Sequence, residues 1–144
     1  MTYKSLNCKR LHPDAVIPTY AKPGDAGMDL TAINIISETD DQITYGTGLA
    51  VEIPEKHVGL IFPRSSVRKY NLQLSNSVGV VDSGYRGEIQ FTFNKLKGAQ
   101  SVCYQPGDRI GQLIVLPFPP IWFTAVEELS STERGEGGFG STGK

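Results

Sequence analysis

The sequence has little cysteine, no long apolar run and no stretch with a sustained helical period. Each shortage removes a class of protein. Without an apolar run of spanning length or a signal-like segment, the reading is a cytoplasmic or otherwise intracellular protein with no membrane partner. The cysteines, Cys8 and Cys103, are too few for a disulfide framework and too far apart for a metal-ligand spacing. They are expected as buried free thiols. Charge of one sign is also missing: Lys+Arg 14 against Asp+Glu 15 gives a net charge of −1. A chain so balanced lacks the electrostatic footprint of a phosphate-backbone binder, so nucleic acid is not an expected partner.

What is present reads as one β domain. With 144 residues and 39% hydrophobic content, the chain can bury a real core. Short β-prone runs recur, with turn signals about every ten residues. The expected strands are Ser5–Arg10, Met28–Ile36, Ile43–Tyr45, Gly48–Ile53, Val58–Phe62, Leu72–Leu74, Val78–Asp82, Glu88–Asn94, Ser101–Tyr104, Arg109–Leu116 and Phe123–Val126. One or two helical turns are expected at Ser65–Tyr70 and one at Val126–Leu129. This pattern predicts an all-β sandwich, jelly roll or barrel.

The most informative segment runs from Gly79 to Glu88. Val80 and Val81 suit a strand, Ser83-Gly84 signals a turn, and Ile89, Phe91 and Phe93 then alternate with polar residues. The expectation is a hairpin that presents the Asp82 carboxylate and the Tyr85 phenol. Its exposed main chain could read a flat polar ring while the acid works beside it. An ordinary surface turn is the alternative.

Residues 130–144 differ in kind. Gly135, Gly137, Gly138, Gly140 and Gly143 leave Phe139 as the one large apolar residue, so the segment cannot order itself. It reads either as a solvated tail or as a mobile lid. In a lid, glycine N–H groups, Ser141, Thr142 and Arg134 would meet phosphate oxygens, and Phe139 would stack on a base. The single Phe favours the lid. Gly138 to Lys144 also spells G-x-x-x-x-G-K, but that motif works only between a strand and a helix, and no strand precedes it.

Three further clusters suit a nucleotide. Phe62-Pro63-Arg64-Ser65-Ser66 ends a strand and opens a helical turn, which offers a forked cation and hydroxyls. Pro23 to Leu30 is a turn entering a strand, with Asp29 set between Met28 and Leu30. Gly107 to Val115 is a turn and an apolar strand interrupted by Arg109 and Gln112. Each could instead be a cap or a satisfied structural group.

In order along the chain, these segments resemble the five motifs of the trimeric deoxyuridine triphosphate nucleotidohydrolases (dUTPases), over Pro18 to Gly143. The motifs are Ala26-Gly27-Met28-Asp29-Leu30, Pro63-Arg64-Ser65-Ser66, Gly79 through Glu88, Asp108-Arg109-Ile110-Gly111-Gln112-Leu113, and Arg134 through Gly143. Met28, Val67 and Gly111 depart mildly from the family pattern. Gly111 stands where Ala is common and is expected to loosen its strand slightly.

The resemblance implies a jelly-roll-like β domain over residues 1–129, completed by a mobile lid over residues 130–144. It also implies a homotrimer with sites at subunit boundaries. The implied reaction converts dUTP and water to dUMP and pyrophosphate, with Mg²⁺ held by substrate phosphates and waters rather than by a protein cage. That activity keeps uracil out of DNA and supplies dUMP for dTMP synthesis. Asp82 is then the group that holds and deprotonates the water, and Asp29 assists by positioning. Arg64, Ser65, Ser66, Gln112, Arg134, Gly140, Ser141 and Thr142 would serve the phosphates. Asn76, Gly79 and Tyr85 would read the nucleoside, and Phe139 would cover it. Arg109 either contacts substrate or holds a carboxylate nearby. A dCTP deaminase shares the implied fold but uses Glu where Asp82 stands. A nucleotide-binding protein without catalysis is the other alternative.

Overall fold

The computed structural model describes residues 4–96 and 103–140. The strands are β1 Cys8–Arg10, β2 Met28–Thr31, β3 Asn34–Glu38, β4 Gln42–Gly46, β5 Leu49–Val51, β6 His57–Pro63, β7 Leu72–Leu74, β8 Gly79–Val81, β9 Gln90–Lys95 and β10 Arg109–Pro117. Among the described residues the helical structure is a short 3₁₀ segment, Ser65–Lys69, and no helix is long and apolar enough to cross a membrane. Two four-stranded antiparallel sheets, ordered β2-β10-β6-β8 and β3-β4-β9-β7, are accompanied by the pair β1-β5. The fold is all-β and jelly-roll-like.

Alternation builds the core. Phe91 and Phe93 of β9 are buried while Gln90 is exposed, and Leu72 and Leu74 of β7 are buried around exposed Gln73. Tyr45, Phe91 and Phe93 are fully buried with Leu30, Ile110 and Leu113 from the other sheet. Thr47, a buried polar residue, is satisfied by donating its hydroxyl to the Ile89 carbonyl at 2.7 Å. Tyr45 donates to the Tyr104 carbonyl at 2.8 Å, and burial pushes its phenol well above the usual range.

Several sequence expectations are corrected. Met28–Ile36 is two strands in different sheets. The chain changes partner at Ala32 and Ile33, whose N–H groups donate to Asp108 and Gly46 carbonyls. Neither Gly nor Pro marks this switch in the sequence. The expected hairpin is not one: β8 pairs with β6, whereas β9 pairs with β4 and β7. The segment crosses between sheets, and the Asp82–Tyr85 turn lies on the crossing. Phe123–Val126 is no strand and Val126–Leu129 no helical turn: the stretch is irregular and exposed. Ser101 and Val102 lie outside the described residues, and Cys103-Tyr104 is irregular. Both thiols are free but only partly buried.

Gly111 stands where β10 packs tightly under the other sheet. A Cβ there would collide with the Phe91 ring and lie 2.8 Å from the Phe62 carbonyl. The family's usual Ala has no room over this Phe. Gly111→Ala should therefore cost about 1–3 kcal/mol through overpacking. A urea unfolding curve should show a lower midpoint; an unchanged midpoint would mean that Phe91 turns aside freely.

Candidate active site

Asp29 is the hub of the first polar cluster. It lies on β2 directly opposite Gln112 of β10. Gln112 Nε2 donates to Asp29 Oδ1 at 3.2 Å. Arg64, just after β6, brings Nε to 3.2 Å from the same oxygen. Arg109 Nη1 donates to Asp29 Oδ2 at 3.0 Å. The carboxylate is only 15% exposed, whereas Arg109 is 55% exposed.

Local features make this convergence possible. The β2–β10 register shifts between Arg109 and Gly111, and that irregularity places both Arg109 and Gln112 on Asp29. Gly27 leaves room for Gln112 to lie across it, since a Cβ there would sit 3.1 Å from Gln112 Oε1. Arg64 also donates to the Arg109 carbonyl at 3.4 Å.

The 3₁₀ turn after Arg64 carries the two serines. Ser65 is exposed. Ser66 Oγ and Tyr104 OH are both buried and face each other, and among the described residues no other group partners either one. Burial pushes the Tyr104 phenol up. One carboxylate shared by two guanidiniums leaves excess positive charge and free N–H donors beside the exposed Ser65. Such a cluster can seat a polyanion.

The second cluster surrounds the crossing from β8 to β9. Asp82 is exposed, and among the described residues no ion pair engages it. Its carbonyl accepts from Tyr85 N–H at 3.1 Å, while Tyr85 OH donates to the Glu88 carbonyl at 2.9 Å. The Tyr85 ring covers Gly87, where a Cβ would collide with it. Glu88 anchors the far end by accepting from Gly48 N–H at 2.7 Å. Gly79 lies under Ile61, and Asn76 Nδ2 lies 3.3 Å from where a Gly79 Cβ would stand.

The two clusters occupy opposite ends of one sheet. Val81 pairs with Gly59, so continuing the register sets Asp82 level with Val58. Arg64 lies six residues further along the same chain direction (64 − 58), roughly 20 Å at ~3.3 Å per residue. One chain does not bring Asp82 and the Asp29 cluster together.

Nor, among the described residues, does it bring the tail to either. Arg134 Nε donates to the Gly137 carbonyl at 2.9 Å, and Phe139 and Gly140 are fully or largely exposed. Ser141 and Thr142 lie outside the described residues. Sequence reasoning assigned no role to Arg86, Glu88 or Glu52. Arg86 and Glu88 stood inside a quoted motif, and an Arg next to a turn of open carbonyls was the available signal.

The comparisons agree with the motif order. A family model described as dUTPase matches residues 13–143. The deoxyuridine 5'-triphosphate nucleotidohydrolase of Thermobifida fusca (strain YX) is 42% identical over 137 residues, covering 94% of this chain and 76% of that protein. That of Rhodococcus erythropolis (strain PR4 / NBRC 100887) is 43% identical, covering 96% of this chain and 86% of the relative. A Staphylococcus bacteriophage 80alpha dUTPase, solved with dUpNHpp, superposes with a TM-score of 0.86 at 27% identity, covering 99% of this chain and 100% of that one.

The hub can be tested on stability alone. Asp29→Ala leaves two guanidiniums facing each other and should cost about 1–3 kcal/mol. Arg109→Lys, at the exposed partner, should cost about 1 kcal/mol or less. Paired chemical denaturation curves check the order; equal losses would mean that the cluster is not centred on Asp29.

Proposed function

The chain belongs to the dUTPase family and is a dUTP diphosphatase, and we propose that it works by in-line attack of a water held and deprotonated by Asp82. The observation that carries this reading is the Asp82 turn. It presents an exposed carboxylate with no ion pair among the described residues, on backbone pinned at Tyr85 and Glu88. A group that must accept a proton from water needs to be open, oriented and unneutralised.

The α-phosphorus is then attacked and pyrophosphate leaves, so charge must be met at the leaving group. Arg64, Ser65 and Gln112 are the donors for it, with Ser66 contributing through its place in the same turn. Arg109 stays on Asp29 and keeps that carboxylate from drawing Arg64 away from substrate. Asp29 is thus a positioning residue. Mg²⁺ bound to the triphosphate would neutralise further charge. The ion would be carried by substrate phosphates and waters, which Mg²⁺ prefers to an all-protein cage.

Selectivity belongs to the stretch from Asn76 to Tyr85. Main-chain groups around Gly79 and the Asn76 amide pair with the uracil edge. Cytosine, with donors and acceptors reversed, would leave buried groups unpaired. A 5-methyl group meets a narrow mouth. Tyr85 lies under the deoxyribose, where a 2′-hydroxyl would need space. The lid over residues 130–144 closes last, with Phe139 on the base and Arg134, Gly140, Ser141 and Thr142 at the phosphates. The reaction keeps uracil out of DNA and supplies dUMP for dTMP synthesis.

A homotrimer with shared sites completes the reading. The separation of roughly 20 Å along β6 supports it, because Asp82 of one copy must meet the Asp29 cluster of another. So does the exposure of Phe118, Ile121, Trp122 and Phe123 on a segment without regular structure.

Asp82→Asn is nearly isosteric. It should keep the fold and dUTP affinity while turnover falls about 10²–10⁴-fold. Pyrophosphate release measures this, and near-normal turnover would remove Asp82 from the role. For the lid and assembly, light scattering should report a trimer both for the whole chain and for one lacking Gly137 to Lys144. The shortened chain should melt normally yet turn over poorly, because closure excludes water and aligns the phosphates. Full activity of the shortened chain, or an active monomer, would overturn that part.

A further inference from the structure

Beside the Asp82 turn lies a polar recess of about 540 Å³, lined among others by Asn7, Glu52, Ser83, Gly84 and Arg86. Arg86 spans it. Its Nη1 donates to the Ser83 carbonyl at 2.8 Å and to the Tyr85 carbonyl at 3.1 Å. Its Nη2 lies 3.4 Å from Glu52 Oε1. Glu52 is fixed in turn: Oε2 accepts from Asn7 Nδ2 at 2.6 Å, and Glu52 N–H donates to the Asn7 carbonyl at 2.9 Å. A continuous polar chain therefore runs from the segment before β1, through Glu52 and Arg86, to the two carbonyls flanking Gly84.

The turn needs such a backing. Residues 82–87 belong to no strand ladder, and the backbone bond within the turn runs from Tyr85 N–H to the Asp82 carbonyl. The Ser83 and Tyr85 carbonyls, one on each side of Gly84, call for a donor that can serve both and still hold a carboxylate. A guanidinium does this with its fixed fork, whereas an ammonium presents one compact point charge.

We propose that Arg86, locked by Glu52, is a positioning residue that sets the direction of the Asp82 carboxylate. The inference rests on the reading of Asp82 as the group that holds the water. Arg86 acts from behind the turn through the backbone. The Arg86–Glu52 pair is exposed on both sides, so it adds little to stability. Its effect falls on turnover, where a misplacement of about 1 Å can cost roughly 10²-fold.

The test uses Arg86→Lys, Glu52→Gln, Asp82→Asn and the double variant Arg86→Lys/Asp82→Asn. Arg86→Lys should lower kcat about 10–100-fold. KM, the Kd for dUpNHpp and the melting temperature should stay near wild type, as expected for an interaction felt only in the transition state. Glu52→Gln should lower kcat by less and in the same direction. Added to Asp82→Asn, Arg86→Lys should cause no further loss, because the group it aims is already gone.

Wild-type kcat in Arg86→Lys, with Asp82→Asn inactive, overturns the proposal alone. A fall in kcat that tracks a fall in melting temperature or analogue affinity also overturns it, since it would mark a merely structural contact. Full turnover in Asp82→Asn would instead remove the reading of Asp82, and this proposal with it.

Discussion

Two guanidiniums cannot converge at the mouth of a sheet without an anion between them, and Asp29 is that anion. Its two oxygens accept from or pair with Arg64, Arg109 and Gln112, which come from two separate places in the sequence, the end of β6 and the start of β10. The irregular register of β10, the bare Gly27 and the placement of Arg64 at the end of β6 all serve this convergence. Half-buried and charge-assisted, these bonds are stronger than surface pairs. They also set a limit: one negative charge cannot neutralise two positive ones, so the cluster keeps a net positive charge.

Much of this was legible in the residues. The β class followed from alternation and turn spacing. The family followed from five short motifs in order, although each alone is a weak signal. Asp29, Arg64 and Gln112 stood in three of those motifs, and the fold gathers them at one place. What escaped was pairing. Val80-Val81 and Phe91-Thr92-Phe93 both read as strands around a turn, and local chemistry favours joining them. Their partners are non-local: β8 needs the Gly59–Ile61 face of β6, and β9 fits between β4 and β7. Likewise the switch at Ala32 is silent, because neither Gly nor Pro marks it. Arg86 was overlooked because its partners are backbone carbonyls, which have no sequence signature.

The location of the two clusters bears on how such a protein can tolerate change. Strand β6 is the common ruler: its start lies beside Asp82, its end leads into Arg64. A deletion or slip of one residue in β6 would reverse which side chains face the core and shift both clusters at once. Gly79 under the Ile61 side chain and Gly111 under the Phe91 ring of the other sheet restrict this further, since a Cβ at either would collide.

The exposed segment that follows β10 carries the chain's only tryptophan, Trp122, 91% exposed in the single chain. Every other indole signal is absent, so the protein's tryptophan emission describes this one stretch and nothing of the core. An indole in water emits at longer wavelength than one against apolar groups. The molecule therefore contains a built-in optical reporter: its colour records whether the segment after β10 is bathed in solvent or covered, independently of whether the sheets themselves are folded.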